Sequence, residues 1–305
     1  MGRFSPSPRA APHPGLPAGR RPGVPRLTRV AFQGEFGAFS EEAVRRACGD
    51  GAEPVPCRTL RDLFDAVEAG GVPLGVIPVE NSRAGTIPES YDLLLQHRLV
   101  IRGEVAVRVE QCLMAPPGTA VADVRRVYSH PQALAQCEGY LRTLGAEAVA
   151  VYDTAGGARA LRSGTESGAA AIASARAADI YGLDLLARGI QDDPENTTRF
   201  YVVGAPGPAV PGGEGSPRTV IALALREDDA PGALFWSLGT LAFWRINLLR
   251  IESRPSRRRP WHYHFYLELA AGAESPAFQG ALRELEGRTA LVSVLGSFPA
   301  ATLPA

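Results

Sequence analysis

The sequence predicts an α/β protein in two parts: a largely parallel, helix-covered sheet, then a smaller βαββαβ module of the ferredoxin-like kind. Three observations carry this prediction. From Arg29 to Val203, short apolar strand runs alternate with helix-length segments, the pattern of strands joined by helical crossovers. Between Gly204 and Pro217 the chain reads GAPGPAVPGGEGSP, the Gly, Pro and small-residue composition of a linker. Beyond it the order becomes strand, helix, two strands, helix, strand. The expected division is a leader over 1–28, a first domain over 29–204, a linker over 205–217 and a module over 218–303.

The elements follow in order. The leader holds five Arg, seven Pro and no acidic residue, so it is expected to be disordered. It lacks the continuous apolar core of a secretory signal, and its prolines would break the amphipathic helix of a transit peptide. It therefore reads as a dispensable bacterial extension. Arg29 to Phe32 is a strand, Gln33 to Gly37 a glycine turn, and the next helix is expected to be capped by Ser40 ahead of Glu41 and Glu42. Strands are expected at Leu74–Val79, Glu104–Val109, Arg126–Ser129, Ala148–Tyr152 and Phe200–Val203. Helices are expected around Asp92–Gln96, over Gln132–Leu144, around Ala155–Arg162 and over Ser174–Tyr181. In the module the strands are Thr219–Leu225, Ile246–Ser253, Tyr263–Leu269 and Ala290–Leu295, with helices Gly232–Phe243 and Pro276–Leu285.

Composition excludes several chemistries. The 305 residues contain no Lys, so Schiff-base, pyridoxal-phosphate and P-loop chemistries, which need that amine, do not fit. All 32 basic residues are Arg, which grips carboxylates with paired hydrogen bonds but does not release its proton near neutral pH. A formal net charge of zero leaves no electrostatic footprint for nucleic acid or an anionic membrane. No apolar run approaches the roughly 20 residues that cross a bilayer. The four cysteines, at 48, 57, 112 and 137, show no zinc spacing and read as reduced cytoplasmic thiols. His262 and His264 would share a strand face, yet two lone ligands make no metal site.

Ligands of open α/β folds gather at the carboxyl ends of strands. Four polar clusters sit at such places: Glu80-Asn81-Ser82, Ser129-His130-Pro131-Gln132 with Gln136 one turn on, Asp153-Thr154, and Gln191 to Phe200 with Thr198-Arg199 at its end. Alone, each reads as a turn or helix cap. Ser129 and His130 are adjacent and no GxSxG elbow is present, so they are not a hydrolase pair. Occurring together, the four clusters point to one cleft.

The segments PVENSRAGT, SHPQALAQC, DTAGGAR and QDDPENTTRF, in this order, resemble the prephenate dehydratase family, which includes the arogenate dehydratases. Downstream, Pro231-Gly232-Ala233-Leu234 and Ile251-Glu252-Ser253-Arg254-Pro255 resemble the effector motifs of the ACT domain. Two Gly in Thr154-Ala155-Gly156-Gly157 depart from the family's Ala-rich segment and weaken a helix start by about 1 kcal/mol each.

The resemblance implies a two-lobed, periplasmic-binding-protein-like catalytic domain with its second lobe over about 106–190, and an ACT regulatory module. It implies loss of CO2 and the ring hydroxyl from prephenate to give phenylpyruvate, in L-phenylalanine biosynthesis, with arogenate as the alternative substrate. Thr198 is then expected to assist the leaving hydroxyl, with Glu80, Ser129 and Gln136 beside it. Asn81, Ser82, Thr154 and Arg199 are expected to hold the substrate, Arg199 as the cation. Glu80 beside a dianion would be repelled, so it is expected either protonated or orienting Asn81 and Thr198. Phenylalanine is expected at Gly232, Ala233, Leu234, Glu252, Ser253, Arg254 and Pro255, across a homodimer or homotetramer interface. No metal or organic cofactor is implied. Arg257, Arg258 and Arg259 are expected to be a solvated loop. The rival from another class is a non-catalytic amino-acid sensor.

Overall fold

A computed structural model describes residues 28–49, 51–163, 166–210, 215–226, 231–256 and 261–302. The leader up to residue 27 and the Arg257–Arg259 run lie outside the described residues. The first lobe contains β1 (Thr28–Gln33), α1 (Phe39–Cys48), β2 (Ala52–Cys57), α2 (Leu60–Glu68), β3 (Leu74–Asn81), the short β4 (Gly85–Thr86), α3 (Pro88–Gln96) and β5 (Val100–Arg108). The chain then builds a second lobe. This comprises β6 (Cys112–Ala115), β7 (Arg126–Ser129), α4 (Pro131–Ala135), α5 (Glu138–Leu144), β8 (Glu147–Ala150), α6 (Thr154–Ser163), β9 (Ala169–Ala173), α7 (Ala175–Tyr181) and β10 (Asp184–Ala187). With β11 (Thr197–Gly204) it returns to the first sheet. The module follows as β12 (Pro217–Ala224), α8 (Ala233–Phe243), β13 (Leu248–Pro255), β14 (Tyr263–Leu269), α9 (Pro276–Arg288) and β15 (Leu291–Pro299).

Two sheets make two lobes, as the fold class predicts. The second lobe's sheet runs β10-β6-β9-β7-β8, and the larger sheet runs β13-β14-β12-β15-β5-β11-β3-β1-β2 with β4 beside β3. The module's own order, β15-β12-β14-β13, is that of a ferredoxin-like unit. Its sheet joins the first lobe where Gly296 of β15 meets Ile101 of β5. A Cβ at Gly296 would stand 2.2 Å from the Ile101 carbonyl oxygen, so only glycine permits this approach. Val220, Ala222, Tyr266 and Phe298 share one core with Tyr91, Leu93, Leu94 and Ile101. The Gly/Pro segment therefore connects two parts that bury apolar surface against each other, worth about 1.5–3 kcal/mol per large side chain.

The lobes are likewise packed together, through the turn between β1 and α1. Gly37, at φ 90°, lies so close to α7 that a Cβ would come within 2.7 Å of the Ala177 Cα. Ser174 Oγ donates to the Gly37 carbonyl at 2.6 Å and Tyr181 Oη to the Phe36 carbonyl at 2.8 Å. Glu41, fully buried, accepts the Gly37 N–H at 2.7 Å and pairs with Arg45 and with Arg176 of the second lobe. Burial pushes its carboxyl upward, but these partners outweigh burial and hold it below its ordinary value.

Two local expectations are corrected, and one strand outside the expected elements is found. The helix begins at Phe39 after Ala38, so Ser40 lies inside it, and Glu41 accepts the Gly37 N–H just ahead of the helix. The segment expected as one helix over Gln132–Leu144 divides at Gln136 and Cys137. There the Asp192 N–H donates to the Gln136 carbonyl at 2.7 Å and its carboxylate accepts the Gly139 N–H at 3.1 Å. Finally, Ala169–Ala173, an AAAIA run without a strand signal, forms the buried β9. Its neighbours on both sides supply backbone partners, and tertiary pairing overrides alanine's helix preference.

Candidate functional site

The site grows from the pairing of β3 with β11. Their antiparallel register sets Thr198 opposite Asn81 and Arg199 opposite Glu80. Successive strand residues point to opposite faces, so Thr198 and Asn81 share one face while Arg199 and Glu80 share the other. The two halves of the expected site are therefore separated by the sheet.

On the first face the side-chain amides are ordered. Asn81 Oδ1 accepts the backbone N–H groups of Arg83 at 3.1 Å and Ala84 at 2.9 Å, which fixes its orientation. Its Nδ2 therefore donates, to Thr198 Oγ1 at 2.9 Å and to Asn196 Oδ1 at 2.7 Å. Thr198 Oγ1 is thus an acceptor toward Asn81, and its own hydrogen is left for another partner. Gln136, brought in by the break between α4 and α5, meets the cluster through Asn196 Nδ2, which donates to Gln136 Oε1 at 2.9 Å. Asn81, Asn196 and Thr198 are 5%, 1% and 9% exposed, so water competes little for these bonds. Asn196 was not among the expected residues. It lies in a polar loop where Asn reads as a turn former.

Two other expected donors, Ser129 and Ser82, are already engaged. Ser129 Oγ, fully buried, donates to the Ile172 carbonyl at 2.6 Å. Ser82 Oγ accepts the Thr197 N–H at 3.0 Å and reaches the Glu195 carbonyl at 3.4 Å, so it ties the end of β3 to β11. Thr154 opens α6 behind Asp153, whose carboxylate accepts the N–H groups of Glu35 at 3.0 Å and Gly156 at 3.3 Å. Burial raises the Asp153 carboxyl above its ordinary value against those bonds. A cavity of about 440 Å³ opens nearby between the lobes, lined by Gly34, Glu35, Pro56, Cys57, Arg58, Tyr152 and Arg159. It shares no lining residue with the Thr198 cluster.

On the second face Arg199 is saturated. Its guanidinium meets Glu104 at 2.6 Å, Glu80 at 2.9 Å and both oxygens of Glu268 at 2.9 Å. Glu268 belongs to the module strand β14, and Arg218 of β12 pairs with it as well. Burial opposes the Arg199 charge, but the surrounding acidic groups raise its pKa further and keep the cation. Arg199 and Glu80 thus form an ionic joint between first lobe and module, a correction to the expectation that they face the substrate with Thr198. Arg250 of β13 extends the joint: it bonds Tyr91 Oη and Thr86 Oγ1 and lies 3.6 Å from Glu80. Burial pushes the Tyr91 phenol up to about 12.

The expected effector residues are divided in the same way. Glu252 accepts the Thr86 hydroxyl at 2.7 Å and Arg254 reaches Asp92 at 3.4 Å, so both anchor the module to the first lobe. Ser253 and Pro255 alternate to the other, exposed side of β13. Gly232, with φ 96°, is the left-handed entry to α8, followed by the half-buried Ala233 and Leu234. Ala224 and Arg254 both pair with His264, so the chain leaving β12 toward Gly232 and the Ser253 end of β13 lie at one end of the module.

The prephenate dehydratase family model matches residues 30–208, the stretch that carries both lobes. The chain belongs to the prephenate dehydratase family. It is 45% identical over 283 residues to arogenate dehydratase/prephenate dehydratase 2 of Arabidopsis thaliana, a match covering 90% of this chain and 73% of that one. Among solved structures it resembles the prephenate dehydratase of Arthrobacter aurescens in complex with L-Phe, with a TM-score of 0.82, 32% identity and 90% of each chain covered. It also resembles GqqA, described as a quorum-quenching acylase, with a TM-score of 0.81 and 36% identity over 90% of this chain and 98% of that one. The expectation of a cytoplasmic location is corrected here. Arabidopsis relatives matched over about nine-tenths of this prephenate dehydratase family chain are chloroplastic by name, which points to a plastid and not to the cytoplasm.

Proposed function

We propose that this dehydratase converts prephenate to phenylpyruvate, with loss of CO2 and the ring hydroxyl. The observation that carries the reading is the orientation of the Asn81 amide, which leaves the Thr198 hydroxyl hydrogen to be donated. Aromatisation of the ring supplies the driving force, so the protein's task is to help hydroxide depart and to hold the breaking carboxylate bond aligned with the π orbitals of the ring. Threonine is a weak acid. Receiving a hydrogen bond from Asn81 polarises its O–H, and a positioned donor of this kind contributes about 10²–10⁴-fold. With Arg199 held by three carboxylates, the substrate's carboxylates are left to neutral donors, among them Gln136 Nε2 and the N–H groups that open helices at the cleft.

Arogenate is the second reading, because the Arabidopsis relative at 45% identity is named for both activities. An acyl-transfer reading lacks its parts: among the described residues Ser129 donates to a carbonyl and Thr198 accepts from an amide, with no imidazole bonded to either hydroxyl. The deciding assay compares phenylpyruvate release from prephenate with phenylalanine release from arogenate. The reading fails if a folded wild type turns over neither.

The module is proposed to be an ACT domain that binds phenylalanine near Gly232 and Ser253 and restrains catalysis. The Arthrobacter relative's complex with L-Phe supports this. A homodimer through the same module is supported by its exposed Phe235, Trp236 and Phe243 on α8 and by Leu249 and Ile251 on the edge strand β13. Substitution of Gly232 or Ser253 is expected to relieve inhibition by phenylalanine and leave turnover without it intact. Equal inhibition of wild type and variants would move the effector elsewhere.

A further inference from the structure

We propose that Asn196 is a positioning residue for the cleft chemistry: it sets which end of the Gln136 amide faces the substrate and so makes Gln136 a donor. The proposal rests on the dehydratase reading and adds a direction to its hydrogen bonds. Four observations fix that direction. The backbone N–H groups of Arg83 and Ala84 occupy Asn81 Oδ1, so Asn81 Nδ2 must face the cluster. Asn196 must therefore offer Oδ1 to Asn81, at 2.7 Å. Its Nδ2 is consequently the end that reaches Gln136, which must answer with Oε1, at 2.9 Å. Gln136 is left with Nε2, whose contact with Asn81 Oδ1 is long at 3.5 Å, so its hydrogens remain for a ligand.

The chain of amides runs one way, from a backbone turn through two buried side chains to two donors, the Thr198 hydroxyl and the Gln136 amide. Both match a substrate that presents carboxylates and a departing hydroxide. An amide's two ends are isosteric, so packing alone does not choose between them and hydrogen-bond partners must. Asn196, 1% exposed, touches only other side chains of the cluster among its side-chain bonds, which is why it positions and does not itself react. The charged groups around it are Asp192, which accepts the Gly139 N–H, and the Arg83–Asp193 pair. None of these charged side chains is bonded to the side-chain amides of Asn81, Asn196 or Gln136, although the Arg83 backbone N–H holds Asn81 Oδ1.

The test is Asn196→Asp in the full chain, assayed for phenylpyruvate release from prephenate across pH. Ionised, the aspartate still accepts from Asn81 but cannot donate to Gln136, which must turn and present Oε1 to the substrate. Activity at mildly alkaline pH should fall about 10- to 100-fold, somewhat less than loss of a donor that touches the transition state. As pH falls and the carboxyl is protonated, its O–H replaces the lost N–H donor, and activity should recover relative to wild type. In a Gln136→Ala background the same substitution should cost nothing further. Full activity at alkaline pH, a loss without acid recovery, or a loss that multiplies on Gln136→Ala would each overturn the proposal.

Gln136→Glu guards against a variant that does not fold, since it offers the cleft an acceptor and should show the same loss and the same acid recovery. Orientation is also read without turnover. In ¹⁵N spectra of the wild type the Asn196 side-chain amide should exchange slowly and that of Gln136 quickly, and the opposite order overturns the relay. A wild type inactive on both substrates, with the exchange order as stated, defeats the dehydratase reading alone.

Discussion

Replacing Arg199 with Met separates two roles that one side chain could fill. A substrate cation, once removed, would raise KM and leave the fold's stability nearly unchanged. In the structure the guanidinium is instead enclosed by Glu104, Glu80 and Glu268, whose side chains are 2%, 30% and 3% exposed. Arg199→Met would leave two deeply buried carboxylates with Arg218 as their shared partner. Removing one member of a buried ionic group costs about 3–5 kcal/mol, because the remaining charges stay desolvated. For a chain of 305 residues about 1.6 °C of Tm is lost per kcal/mol, so the midpoint should fall by about 5–8 °C.

Glu268→Leu, which strips the module's own carboxylate from the joint, should destabilise to a similar degree. The double variant should lose less than the sum of the two, by about 0.5–3 kcal/mol, because the two changes remove partners of each other. The assay is thermal unfolding followed by circular dichroism, with KM for prephenate measured well below the lower midpoint. A Tm within 2 °C of wild type, together with a KM raised tenfold or more, would refute the joint and return Arg199 to the substrate; the 2 °C limit is about what 1 kcal/mol would produce.

Three further outcomes are expected. Thr198→Val should lose about 10²–10⁴-fold in kcat while Thr198→Ser, which keeps the hydroxyl, stays within about tenfold, a contrast read by steady-state kinetics on folded protein. Glu41 has a carboxyl held below its ordinary value of 4.5 in the folded state, so the unfolded chain binds more protons in that window. Its contribution is present above pH 4.5 and is lost as pH falls through the lowered value, and Glu41→Gln should flatten that part of a urea-unfolding profile against pH. Gly37→Ala should destabilise by about 1–3 kcal/mol, because it needs a positive φ and a Cβ overlapping α7; unchanged stability would mean that the lobes separate freely there.

The alternation of strands and helices was legible because glycine turns and apolar runs are local signals, and so were the strand ends that carry Asn81 and Thr198 and the helical segment that carries Gln136. What escaped depended on partners far along the chain. The break at Gln136 is imposed by Asp192, and the role of Asn196 needs the neighbours that β3 and α4 bring to it. A capping box at Thr59 and Asp62 was readable and marks α2. The assignment of Glu80 and Arg199 to the cleft went against a signal already present in the sequence. If Thr198 on a strand faces the substrate, Arg199 cannot, and the same holds for Asn81 and Glu80. By that rule β11 carries the Thr198 hydroxyl on one face and the module's ionic anchor, Arg199, on the other, one peptide apart. The module's Glu268 on β14 is thereby bonded to the residue that directly follows Thr198 along β11.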